Sequence, residues 1–160
     1  MGTGWLIRPD LLVTAGHCAY DWSQLNGAGF GRANEVKAYI GYNGKASIGT
    51  NDVQFRSGVK IVTTEGWLRS GNNRHNDVAF IQLDRPFEGI APFTFSQTAG
   101  NGNEVIGVVG YPGDKRYNKE NGAQMYEEFQ NVKWDLDTAA NHMLEYRINT
   151  YKGKKRMPMY

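Results

Sequence analysis

Apolar and polar residues alternate in steps of two along much of this chain, the spacing of strands with one face buried. Val36, Ala38, Ile40 and Tyr42 interleave with Glu35, Lys37, Tyr39 and Gly41, and Val53, Phe55, Val59 and Ile61 with Gln54, Arg56, Gly58 and Lys60. The pattern returns at Val132, Trp134 and Leu136, and again at Leu144, Tyr146 and Ile148. Two near-continuous apolar runs, "VAFIQL" (78–83) and "VIGVVGY" (105–111), predict strands buried on both faces. Clusters such as "YNGK", "SGNN", "AGNGN", "YPGDK" and "ENGA" predict tight turns between them, with "YPGDK" suited to a type II turn led by Tyr111. Helix is confined to one turn around 15–20 and a second candidate near 137–142. The expectation is an all-β chain.

Pro86 and Pro92 forbid a central strand in "DRPFEGIAPF" (84–93), so 86–93 is the predicted linker between a unit at 1–85 and another at 94–160. Composition changes this picture little. The 160 residues can bury one sizeable core or a domain and part of another. A formal charge of +2 implies no nucleic-acid partner, and no apolar run approaches the roughly 20 residues that span a bilayer. No basic-then-apolar leader opens the chain. Cys18 is the single cysteine, so an intrachain disulfide is excluded. No Cys or acidic cluster has metal-ligand spacing, so no metal or cofactor is expected.

The candidate chemistry lies in two stretches. "LVTAGHC" sets His17 on a tight turn after an apolar strand, and Asp77, 60 positions later, heads the apolar strand of "NDVAFIQL". A carboxylate at the head of such a strand needs a hydrogen-bonded partner. Hydrolysis through a serine needs a base, a carboxylate that orients the base, and amide donors for the oxyanion; distant parts of a chain can supply them. Alone, each residue has a structural reading: a satisfied histidine, a turn-capping aspartate. His75 and His142 sit in polar loops and are expected to be solvated.

In this order and separation, "TAGHC" and "NDVAFIQL" resemble the chymotrypsin-like serine peptidases, and "GTGWLI" is similar to the strand before their histidine turn. "VVGYPGDK" followed by "MYEEFQNVKWDL" resembles the glutamyl-endopeptidase-like branch. The resemblance implies a two-barrel, trypsin-like fold and a secreted serine endopeptidase acting on polypeptides. By it His17 is the general base, Asp77 its orienter, and Thr150 a lining residue of the primary specificity pocket. Two such barrels take roughly 200–250 residues, so the fold is expected to be incomplete at both ends, with open sheet edges through which copies could associate.

The nucleophile departs from the family pattern. The family's Gly-x-Ser-Gly-x-Pro turn falls on "GKKRMP", where Gly153 and Pro158 keep the spacing but Lys155 stands in the place of serine and Arg156 in that of the next glycine. A protonated lysine cannot serve as that hydroxyl does, and Ser23, Ser47, Ser57, Ser70 and Ser96 belong to earlier strands and loops. Read one base later, "GKKRMPM" can encode Gly-Lys-Ser-Gly-Cys-Pro-Cys, which suggests a shifted coding frame after Tyr151. Cys18 has two readings: half of a family disulfide whose partner would stand near Gly2, or a buried reduced thiol. The expectation is a serine endopeptidase by family, inactive as written for want of the nucleophilic serine. The alternative is a non-catalytic homologue that binds peptides or proteins; a β-domain binding anions through Lys152, Lys154, Lys155 and Arg156 is a more distant rival.

Overall fold

The structure, a computed structural model, describes residues 2–27, 29–97, 100–139 and 146–147. They fall into two compact units: Gly4–Ile40 with Gln54–Phe95, and Met1–Thr3 with Gly41–Val53 and Ser96–Tyr160. Strands dominate both, as the alternation predicts, and helix is limited to single turns.

The first unit is a five-stranded antiparallel sheet built from β1 (Gly4–Arg8), β2 (Leu11–Thr14), β3 (Lys37–Ile40), β4 (Gln54–Thr63) and β5 (Ala79–Leu83). Its order is β1-β2-β5-β4-β3, which puts β5 at the centre. The core lies on one face, where Leu6, Ala38, Ile81, Leu83 and Phe87 pack with Leu12, Val36, Ile40, Ile61 and Ile90 around them. One-turn helices α1 (Gly16–Ala19) and α2 (Glu65–Arg69) follow β2 and β4.

β4 corrects a detail of the alternation. Its pairing with β5 shifts between Gly58 and Lys60, and this bulge exchanges the two faces of the strand. Arg56, opposite Ala38, therefore shares the core side with Ile61, while Val59 is exposed. The buried guanidinium donates to the carbonyls of Pro86 and Phe55, each at 2.7 Å, and to Gln54 Oε1 at 3.0 Å, and it lies 4.8 Å from the centroid of the Phe87 ring. The stretch read as a linker is packed in this unit: Phe87 is buried and its N–H donates to Pro9 O, while Phe93 N–H donates to Leu6 O.

The second unit is organised around a ribbon of β6 (Asn101–Gly110) and β9 (Tyr126–Asp135), paired in unbroken register from Asn101–Asp135 to Gly110–Tyr126. Between them lies a small hairpin, β7 (Arg116–Tyr117) and β8 (Glu120–Asn121). Glu120 ties this hairpin to the 41–53 segment: Tyr42 Oη–H donates to one carboxylate oxygen and Lys45 N–H to the other at 2.7 Å. Tyr111 Oη–H donates to Tyr42 O, and the two rings meet edge to face. Burial pushes the Tyr111 hydroxyl pKa up, whereas the hydrogen bonds from Lys45 and Tyr42 hold the Glu120 carboxyl below its usual range.

Two strands expected to be buried on both faces are not. In β6 the face carrying Val105 and Val109 is exposed together with Phe129 of β9, because among the described residues the ribbon has no layer over that side. In β5 Phe80 is exposed beside Val62 on the face away from the core. At the "YPGDK" turn Lys115 N–H donates to Pro112 O, and Gly113 is not in the left-handed region, so Pro112 takes the first place of the turn and type II is excluded. The helix candidate near 137–142 shows a turn at 136–138 and a bend at 139 and then leaves the described residues; of the strand expected around Leu144 to Ile148 only Tyr146 and Arg147 are described, and neither is in a strand.

Candidate active site

β2 and β5 pair antiparallel with Thr14 opposite Ala79. The chain just beyond Thr14 and the chain just before Ala79 therefore emerge from the same end of the sheet, which brings the two sequence-distant candidates together. His17 lies in α1, three residues past Thr14; Asp77 closes a short 3-10 turn, Arg74–Asn76, two residues before Ala79.

Asp77 is 6% exposed and uses both carboxylate oxygens on one residue. Oδ1 accepts the backbone N–H of His17 at 2.8 Å and Oδ2 accepts the ring Nδ1–H at 2.8 Å. The first bond fixes the start of α1; the second fixes the imidazole plane and leaves Nε2 as the ring nitrogen not held by the carboxylate. Burial disfavours a charged ring, but the hydrogen bond to Asp77, the hydrogen bond and charge of Cys18 and the charge of Asp77 outweigh it and push the His17 pKa up to about 9. The carboxylate thus favours the protonated form of the ring. Cys18 itself is exposed, which overturns the reading of it as a buried thiol.

The dyad rests on residues whose roles the sequence did not signal. Trp67 of α2 is 3% exposed and meets the His17 ring edge to face, centroids 6.4 Å apart. Its indole N–H donates to Tyr20 O at 2.9 Å, at the end of α1. At the start of α1, a Cβ on Gly16 would lie 2.9 Å from Trp67 Cδ1 and 3.0 Å from Val78 N, so only glycine lets the helix lie this close. Thr63 Oγ1–H donates to Val78 O at 2.7 Å and Thr64 Oγ1–H to Asn76 O at 2.6 Å, gripping the residues that flank Asp77. A tryptophan in the polar stretch "TEGWLRSGNN" and a small residue before His17 were the available signals.

Thr150, Lys155, Arg156 and the rest of the basic tail lie outside the described residues, as does His142. Three serine hydroxyls are engaged in local turns: Ser23 Oγ–H donates to Asp21, Ser47 Oγ–H donates to Gly44 O, and Ser70 Oγ accepts from Asn72 N–H. His75 is exposed in the 3-10 turn. Among the described residues no group of three or more His, Cys, Asp or Glu could hold a metal ion, and no helix is long and apolar enough to cross a membrane.

A family model described as a trypsin-like peptidase domain matches residues 2–154. The glutamyl endopeptidase of Bacillus licheniformis is 28% identical over 164 aligned residues, which cover 99% of this chain and 44% of that protein. The extracellular metalloprotease of Bacillus subtilis is 26% identical over 163, covering 99% of this chain and 45% of that protein. The chain therefore spans less than half the length of these two relatives. A solved structure of a Glu endopeptidase in complex with MPD superposes with a TM-score of 0.74 at 22% identity, over 95% of this chain and 64% of that one, a likeness in fold.

Proposed function

The chain belongs to the trypsin-like peptidase domain family, and from that premise we propose that His17 and Asp77 are the base and orienting acid of a serine endopeptidase. The observation that carries this reading is the two-oxygen grip of Asp77 on the backbone and ring of His17. In such a site Nε2 of the neutral imidazole takes the hydroxyl proton of the nucleophile as it attacks a peptide carbonyl. Asp77 holds the resulting imidazolium, which then returns the proton to the leaving amine. Polypeptides are the substrate class, the two-barrel division at 86–93 is part of the same proposal, and secretion follows the relative named extracellular.

The chain as given does not complete this cycle, because Lys155 stands where the nucleophilic serine is expected. Thr150 at the specificity pocket and a shifted frame after Tyr151 are the corresponding proposals for the tail. The alternative, a peptide-binding homologue without catalysis, draws on the same lysine, but it gives Asp77 no reason to spend both oxygens on His17. The test compares this chain with a longer form carrying the Gly-Lys-Ser-Gly-Cys-Pro turn and the strands that follow it, on peptides with acidic, basic and aromatic residues. The expected result is no hydrolysis by the first, and hydrolysis by the second that falls by roughly 10²–10⁴-fold in its His17→Ala variant. Cleavage by this chain, or activity in the longer form indifferent to His17, would refute the assignment. Sequencing the transcript across codons 151–160 decides the frame.

A further inference from the structure

We infer that Trp67 is a positioning residue of the His17–Asp77 pair: through its ring and its indole N–H it holds both ends of the one-turn helix that presents His17. The inference rests on the dyad reading and extends it to a side chain outside the dyad.

α1 spans only Gly16–Ala19 and has no side-chain cap, so its own hydrogen bonds cannot keep it in place. Its position is set from outside, at three points. Asp77 takes the His17 N–H near its start. Trp67 presses on Gly16 in the same turn, against the face where any side chain would collide. The Trp67 indole N–H then takes the Tyr20 carbonyl at its end. Between the last two contacts the indole lies edge to face with the His17 ring and closes one side of it.

Trp67 is itself anchored. Its backbone N–H donates to Thr64 Oγ1 at 3.1 Å and its carbonyl accepts Trp22 Nε1–H at 3.0 Å. Thr64 caps α2, and its hydroxyl donates to Asn76 O beside Asp77, so one short segment, 63–67, reaches both halves of the dyad. A change at Trp67 should therefore alter the imidazole–carboxylate geometry, whereas a cavity of similar size elsewhere in the core should only weaken the fold. That contrast separates a positioning role from a filling one.

The test uses the full chain and proton NMR of the His17 ring at a temperature at which every variant is folded. The wild type is expected to show a downfield Nδ1–H resonance that disappears in Asp77→Asn. Trp67→Ala is expected to broaden or lose it, and Trp67→Phe, which keeps a ring but lacks the N–H for Tyr20, to retain it with a His17 titration midpoint moved by about half a pH unit or more. Phe87→Ala, a core truncation outside β2 and β5, should lower the melting temperature and leave the resonance and midpoint in place. If Trp67→Ala does not fold, Trp67→Phe alone decides. A wild-type resonance and midpoint unchanged in the folded Trp67 variants would overturn the inference and spare the dyad. A wild type whose His17 ignores Asp77→Asn would overturn the dyad and the inference with it.

Discussion

β5 of the first unit and β6 of the second are both apolar runs, yet Ile81 is 2% exposed and Val105 68%. β5 has a partner on each side, β2 and β4, and a core packed on one face; β6 has β9 and, among the described residues, no layer over the face of Val105, Val109 and Phe129. The difference teaches that burial belongs to the layer above a strand rather than to the strand's own residues. It also explains where the candidate site sits. His17 and Asp77 hang from the ends of the doubly paired strands β2 and β5, where a frame shared by several neighbours can hold two side chains to fixed geometry.

Truncation should expose this contrast most strongly. Ile81→Ala in the first unit is expected to destabilise by about 2–5 kcal/mol, whereas Val105→Ser or Phe129→Ser on the ribbon should change stability by no more than about 0.5 kcal/mol. Chemical denaturation of each variant measures both; equal losses would mean that the ribbon face is covered in solution. Native-state hydrogen exchange gives the same comparison without mutation: amides of β5 should outlast those of β6.

Smaller effects sharpen the first unit's side of the comparison. Arg56→Ala leaves the carbonyls of Pro86 and Phe55 without their charged donor inside the protein and should cost about 1–3 kcal/mol, seen as a lower denaturation midpoint. Thr64→Ala removes the α2 cap and the bond to Asn76 and should cost about 1 kcal/mol by the same measurement.

The pH dependence has a definite sign. His17 binds its proton more tightly in the fold, at about 9, than at its ordinary 6.5. The stabilisation from this group is therefore complete below pH 6.5 and is lost as pH rises through about 9, so melting temperatures should decline over that window and His17→Gln should flatten the decline. Cys18→Ser should lower the His17 midpoint, since the thiol is one of the groups that raise it.

His17 and Asp77 were singled out because "TAGHC" and "NDVAFIQL", in that order and separation, together resemble a known family; alone, each had a structural reading. The alternation likewise revealed β3, β4 and β9 as strands, and the apolar runs revealed β5 and β6. What escaped it depends on contacts far apart in the chain. The bulge at Val59, which turns Arg56 inward, has no compositional mark beyond Gly58. The tie between Tyr42 and Glu120 joins residues 78 apart. The seat of Trp67 is set by Tyr20, Trp22 and His17, all more than forty residues away in the chain, and the exposure of Val105 follows from the lack, among the described residues, of a layer over it.

The most direct measurement is an NMR titration of the His17 imidazole in the full chain and in its Asp77→Asn variant. A midpoint near 9 that falls toward 6.5 when the carboxylate is replaced is the expected result. A midpoint already near 6.5, or one that the Asp77 substitution leaves unmoved, would contradict the pairing on which the proposed function rests.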